Sequence, residues 1–452
     1  MSKKKQQIWD GNVRDAALTI LLTVDKSQAY SNLLLHQTIE KYNIDAKDRS
    51  LLTELTYGTL QYKYTLDYYL EPFIRGKVDI WVRWLLRLSL YQMHYLTRIP
   101  AHAAVHEAVE IAKRRGHQGI GSMVNGILRS ILREGVRSTE LIENANERLA
   151  IETSHPQWLV DRWVASYGYE MTKEMLQENN IAPMQTVRVN RTKATVENVL
   201  ATLEREGIKA KRSEVMPDCV FILSGQAART AAFKNGLITI QDESSMLPAT
   251  VLNPQPGMKV LDMCAAPGGK TTHLAEMMNN EGSILATDLH PKKLDLIEEN
   301  TARLGLNIVQ TAPLDGRKAA EFLKPEYDAI LVDAPCSGLG VMRRKPDIKY
   351  TKREEDLASL QTIQLGILDN AVQLLKSGGR LVYSTCTVDR NENEGTVQAF
   401  LEAHPEMEAI QLENLPIQLD AKQQNGMLQV FPQDFGGDGF FVAAFVKKGE
   451  NN

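Results

Sequence analysis

Over residues 1–140 the apolar positions recur at helical spacing. RDAALTILLTVDK, DRSLLTELTYGTLQYKYTLDYYL, DIWVRWLLRLSLYQMHYL and AVHEAVEIAKR each set apolar side chains three and four residues apart, which gathers them on one helix face. Gly and Pro fall between these runs, as in EPFIRGK and IPAH. The pattern predicts an all-helical bundle. Over residues 145–240 it changes. SHPQWLVDRWVASYG predicts a helix behind Pro156, QTVRVNRTK a strand, TVENVLATLEREGIK a helix and CVFILSG a second strand. Such short alternation predicts a small α+β module. Over residues 241–452 the runs KVLDMCA, SILATDL, NIVQTAP, YDAILVDAP and GRLVYSTC are apolar and β-rich. Helical stretches such as TTHLAEMM, KLDLIEENTARLG and EEDLASLQTIQLGILDNAVQLL separate them. Strand–helix alternation predicts an α/β, Rossmann-like parallel sheet with helices on both faces. GDGFFVAAFVKK predicts a closing antiparallel strand, and the polar stretch 405–437 an irregular surface excursion.

A chain of 452 residues fits two or three such domains. No apolar run approaches the roughly 18–20 residues of a spanning helix. The start, MSKKKQQIWDGN, has lysines without an apolar core behind them, so no secretion signal, no membrane partner and a cytoplasmic location are expected. Net charge is −4 but unevenly spread. Residues 1–140 hold 20 Lys and Arg against 14 Asp and Glu, and residues 241–452 hold 20 against 30. A basic front fits either a polyanionic partner or ordinary solvated helix faces. Arg188, Asn190, Arg191 and Lys193 cluster at one predicted strand end, as RNA phosphate contacts or as a solvated end. His102 and His106, four apart beside Glu107 and Glu110, lack the H-E-x-x-H order of a zinc site. They read as an exposed helix start after Pro100. The four cysteines form no C-x-x-C pair, so neither metal nor disulfide is expected.

The loop Cys264-Ala265-Ala266-Pro267-Gly268-Gly269-Lys270 follows the first strand of the third segment. It ends like a phosphate loop, G-x-x-x-x-G-K-[ST], yet Cys264 stands where the first glycine belongs and Pro267 removes a backbone donor. A nucleoside ligand suits it better, because the loop lies at the carboxyl edge of the sheet. Asp288 ends the second strand, nineteen residues after Gly269, placed to accept ribose hydroxyls. Asp315 follows the third strand, placed to reach an adenine amino group, and Asp333 ends the fourth. One acid after each successive strand is the pattern of S-adenosylmethionine binding; a dinucleotide fold would need G-x-G-x-x-G, which is absent.

The fourth and fifth strands each end in a cysteine, in Asp333-Ala334-Pro335-Cys336 and Ser384-Thr385-Cys386-Thr387. A thiolate that adds to carbon 6 of a pyrimidine pushes electron density to carbon 5, which can then accept a methyl group. One cysteine would attack and the other assist release, with Asp333 on the cytosine edge.

CAAPGGK, DAPCSG and STCT together resemble the motifs of the RNA cytosine-C5 methyltransferases of the NOL/NOP/Sun group, as do DRNENE and GLITIQDESSMLPA. The helical front resembles a NusB-type RNA-binding domain, and the middle segment with VRVN resembles the module that links the two in bacterial members. The resemblance covers the whole chain. It implies Cys386 as nucleophile, Cys336 in product release, the Cys264–Lys270 loop with Asp288, Asp315 and Asp333 around the cofactor, and one cytosine of 16S rRNA as substrate. It implies for Lys270 a role in fixing the methionine end or the catalytic loop. Transfer RNA as substrate, a non-catalytic RNA-binding protein and a P-loop nucleotide hydrolase are the competing readings; the last leaves Cys386 unexplained. Nothing in the sequence calls for more than a monomer.

Overall fold

The computed structural model describes residues 11–27 and 31–449; all of the lysine-bearing start but Gly11 and Asn12 lies outside them. The chain forms two compact units. One comprises the described residues up to Asn180 together with Arg344–Lys352, the other Ile181–Arg343 with the described residues from Arg353 onward. Among the described residues no helix is long and apolar enough to cross a membrane.

The first unit is helical throughout. The helix Gln118–Glu134 buries Gly121, Val124, Leu128 and Ile131, a stripe at helical spacing, and Gly135 ends it at φ +77°. Ile80–Tyr95 buries Val82, an unbroken run from Trp84 to Gln92, and so sits at the centre of the bundle. The helices Ala145–Thr153, Gln157–Tyr167 and Tyr169–Glu178, grouped by the sequence pattern with the strands that follow, cluster with this unit. So does the nine-residue strap from the far side of the chain. In it Asp347 accepts from Ser31 Oγ at 2.5 Å, and Lys349 Nζ donates to Asn180 Oδ1 at 2.8 Å. Burial pulls the Lys349 amine far below its usual range. In the helix Ala101–Arg115, His102 and His106 are exposed, Glu107 accepts from Asn12 at 2.8 Å and Glu110 pairs with Lys113 at 2.8 Å. No group of three His, Cys, Asp or Glu among the described residues is arranged to hold a metal.

The second unit contains two sheets. β1 (Gln185–Val189), β2 (Lys209–Arg212), β3 (Cys219–Ser224) and β4 (Ile238–Ile240) form an antiparallel sheet in the order β2-β3-β1-β4. The charged KAKR of β2 and the three-residue β4 carry no strand pattern of their own; pairing with β3 and β1 makes them strands. The larger sheet holds β5 (Lys259–Asp262), β6 (Ser283–Asp288), β7 (Val309–Pro313), β8 (Tyr327–Asp333), β9 (Leu375–Thr385), β10 (Met407–Ala409), β11 (Met427–Val430) and β12 (Phe440–Lys447). Its order is β10-β12-β9-β8-β5-β6-β7, with β11 also on β12. β5 to β9 run parallel and β12 antiparallel, so the α/β architecture is as expected. The stretch 405–437 is more than a surface excursion. It supplies β10 and β11 and buries Met407, Leu412, Leu419, Leu428 and Val430. Its strands are too short for a local pattern and exist because β12 is beside them.

The order β9-β8-β5-β6-β7 places the loops after β5 and β8, neighbours at the middle of the sheet, on one carboxyl edge. β12 keeps β9 from being an edge strand, with Phe441 opposite Thr385 and 1% exposed. Phe441→Ala is therefore expected to cost the second unit about 3–5 kcal/mol, read as a lowered denaturant midpoint.

Candidate active site

The loop after β5 is stitched to strands on both sides. Met263 N donates to Leu331 O of β8 at 3.0 Å, and Ala265 N to Thr287 O of β6 at 2.9 Å. Gly268 begins the helix Gly269–Met277 at φ +97°, and a Cβ there would lie 3.1 Å from Ile297 Cα. The positive φ favours glycine, and a side chain there would also press on the Ile297 backbone. Asp288 ends β6 almost buried and accepts from His290 N at 3.0 Å. Asp315 follows β7, with both oxygens engaged by Arg317, which holds its carboxyl below the usual carboxylate range.

Asp333, at the end of β8, joins the two halves of the site. Its Oδ2 accepts from Lys270 Nζ at 2.8 Å and its Oδ1 from Ser384 Oγ of β9 at 2.8 Å. Burial pulls the Lys270 ammonium down, but the Asp333 carboxylate outweighs this and its pKa is raised. Lys270 Nζ also lies 5.3 Å from the centre of the Phe440 ring. Asp262, inside β5, accepts from Thr271 Oγ1 at 2.7 Å; burial raises its pKa to about 7. Burial and the carboxylates of Asp262, Asp333, Asp288 and Asp315 all push the Cys264 thiol up. The predicted acids therefore converge on the predicted loop, and Cys264 is kept a thiol. So much carboxylate repels a triphosphate and suits a ligand with hydroxyls, an amino group and positive charge.

The cysteines at the ends of β8 and β9 meet. Cys336 Sγ lies 3.4 Å from Cys386 Sγ. That contact and burial push the Cys336 thiol well up, so it carries its proton at neutral pH. The two loops are held by residues that the sequence reading did not single out. Glu392 accepts from Ser337 N at 2.9 Å and from Gln364 Nε2 at 2.9 Å. Asn393 accepts from Thr385 Oγ1 at 2.6 Å and donates to Thr387 O at 3.1 Å. Gly340 N donates to Cys386 O at 3.0 Å. Glu392 and Asn393 lie in DRNENE, so the signal was present as a motif without a role. Ser384 likewise lies in STCT without a role, and Asp262 had no signal beyond its place in a strand.

Residues 249–446 match the family described as "16S rRNA methyltransferase RsmB/F". Residues 11–133 match the "NusB family", and residues 155–229 match "Methyltr_RsmF/B-like, ferredoxin-like domain". The chain is 52% identical to "Probable ribosomal RNA small subunit methyltransferase B" of Bacillus subtilis (strain 168), over 97% of this chain and 99% of that one. It belongs to the RsmB/F family. Among solved structures, "Crystal Structure of PH0851" is 29% identical with a TM-score of 0.83, covering 98% of this chain and 100% of that one. A "Methyltransferase Homolog Protein from Pyrococcus Horikoshii" is 28% identical with a TM-score of 0.59, covering 68% of this chain and 100% of that one. The ferredoxin-like match spans the helix Gln157–Tyr167 as well as β1 to β3, and so runs across the division between the two compact units.

In this RsmB/F chain the basic strand end of β1 does not lie open to RNA as a set. Arg188 and Asn190 are both 0% exposed. Arg188 pairs with Glu276 at 2.8 Å, and Asn190 Nδ2 donates to Gly236 O at 3.1 Å and Leu304 O at 3.2 Å. Their side chains point into the unit, toward the helices Gly269–Met277 and Pro291–Leu304. Arg191 is exposed and pairs with Asp218, while Lys193 Nζ donates to Asn235 O at 3.1 Å and Arg303 O at 3.3 Å.

The raised Asp262 carboxyl makes a pH prediction. The folded chain holds this proton more tightly than the unfolded chain, whose group titrates near 3.8, up to about 7. Its stabilising contribution is complete below the lower value and is lost as pH rises through the upper one. Wild type is expected to lose stability relative to Asp262→Asn across that window, measured as the difference in melting temperature at stepped pH.

Proposed function

We propose that this chain methylates carbon 5 of a cytosine in 16S rRNA, using S-adenosylmethionine as donor and a covalent bond between Cys386 and carbon 6 of the base. The observation that carries this reading is the pair of sulfurs 3.4 Å apart beside the acid-lined loop. The names of the family and of the Bacillus subtilis relative favour small-subunit rRNA as the substrate. The basic helical front suits an RNA partner.

S-adenosylmethionine supplies an electrophilic methyl group on a sulfonium. The residues that would hold it are the Cys264–Lys270 loop, Asp288 and Asp315, with Asp333 at the boundary with the base. Cys386 gives its proton to water and its sulfur bonds to carbon 6, which pushes the 5,6 electron pair toward carbon 5 and makes it electron-rich. Asp333, oriented by Lys270 and Ser384, accepts a hydrogen bond from the cytosine edge and steadies the charged adduct. Once carbon 5 bears the methyl group, its proton passes to water, the C5–H electron pair re-forms the 5,6 double bond, and the carbon 6–sulfur bond breaks with its pair returning to Cys386. Cys336, in contact with Cys386, serves this release. The base must leave any stack to reach the sulfur.

The test is radiolabelled methyl transfer to 16S rRNA with mapping of the modified base. Wild type is expected to make 5-methylcytosine and Cys386→Ala to show no turnover. Cys336→Ala is expected to accumulate a protein–RNA adduct stable in denaturing gels. Full activity of Cys386→Ala would sink the nucleophile assignment. Transfer to tRNA but to no rRNA would keep the chemistry and overturn the substrate.

A further inference from the structure

The helix that begins in the glycine loop, Gly269–Met277, is gripped on two opposite faces. At 100° per residue, positions 269, 272 and 276 share one face while 270 and 271 look away from it. On the site side Lys270 Nζ reaches Asp333 at 2.8 Å and Thr271 Oγ1 reaches Asp262 at 2.7 Å. The opposite face meets one side chain, Arg188 of β1. Its Nη1 donates to Gly269 O at 2.7 Å and its Nη2 to Thr272 Oγ1 at 3.0 Å. Its Nη2 and Nε reach the two oxygens of Glu276 at 2.8 and 2.9 Å. Gln241 also accepts from Nη1 and is itself held by Ser245 O at 2.9 Å. Arg188 is anchored by its strand, paired with Cys219 of β3 and Thr239 of β4. It is 0% exposed, and Glu276 is 3% exposed.

A planar guanidinium that spends its donors on two turns of one helix leaves that helix no freedom to roll or slide. A simple ion pair between Arg188 and Glu276 would join the two sheets without fixing the helix start. The bond to the carbonyl of Gly269, the residue between Gly268 and Lys270, ties the grip to the loop itself.

We infer that Arg188 is a positioning residue for methyl transfer: from the antiparallel sheet it sets the rotation of the Gly269–Met277 helix, and with it the cofactor loop and Lys270. This rests on the reading of that loop as the S-adenosylmethionine site.

The experiment is calorimetric titration of the full-length protein with S-adenosylmethionine, beside melting temperatures, for wild type, Arg188→Met, Arg188→Lys and the double variant Arg188→Met/Glu276→Leu. Replacing both members of a buried ion pair by apolar groups restores most of the folding stability lost on breaking it. It does not restore the bonds to Gly269 O and Thr272. The double variant is therefore expected to melt near wild type yet bind S-adenosylmethionine roughly tenfold or more weakly. Arg188→Lys keeps one charge for Glu276 but loses the fork, and is expected to fold and to bind with similar weakness. Wild-type affinity in either the double variant or Arg188→Lys would overturn the inference and leave Arg188 a structural ion pair. Failure of wild type itself to bind would instead overturn the reading of the loop, and this inference with it.

Discussion

The parallel pairing of β8 with β9, in one register from Ala329 to Asp333, is the constraint on which the candidate site depends. Asp333 stands opposite Ser384 in that register, and Ala334 N donates to Ser384 O just beyond it at 2.9 Å. Cys336 and Cys386 are fifty residues apart in the chain, yet each follows its strand by a few residues and so leaves the sheet at the same edge. A slip of one residue would turn every side chain of one strand to the opposite face. It would separate the sulfurs and break the bond between Asp333 and Ser384 together. Burial of both strands, with β5 beyond β8 and β12 beyond β9, makes such a slip costly.

Around this edge the electrostatics are set by which charges find partners. Lys270 remains charged inside the unit because Asp333 is 2.8 Å away, and Asp333 is in turn oriented by Ser384. For Asp262 burial prevails over the pull of the Thr271 hydroxyl and of Lys270, and its pKa rises to about 7. The same surplus of carboxylate makes the loop unfit for a phosphate, although its glycines and lysine imitate a phosphate loop. Cys264 and Pro267 within the loop already disfavour a phosphate, and the acids contributed by three other strands add to this.

The basic strand end shows how a charge pattern misleads when its burial is unknown. VRVNRTK has the composition of a phosphate-binding surface, and two of the four residues taken as RNA contacts, Arg191 and Lys193, retain some exposure. Arg188 in β1 and Asn190 just past its end both turn inward, where they bond Glu276, Gly269 and Thr272 and the backbone carbonyls of Gly236 and Leu304. The strap Arg344–Lys352 is a similar case. Its Lys349 is 1% exposed, buried among helices that lie far earlier in the chain.

Local periodicity was enough for the helical front, the five parallel strands and the closing antiparallel one, because each of those segments buries a face whose spacing is written in its own residues. The ordered acids and the two cysteines were also legible, since a parallel α/β sheet sends every strand end to the same side and order along the chain becomes proximity in space. What the tertiary structure decided is everything that depends on a partner distant in sequence. That includes β2, β4, β10 and β11, which are strands only beside their neighbours, and the membership of residues 344–352 in the helical unit. It includes the inward turn of Arg188 and the supporting bonds of Glu392 and Asn393. The reason is common to all of them: burial and hydrogen-bond satisfaction are properties of the assembled unit, and no window of sequence contains them.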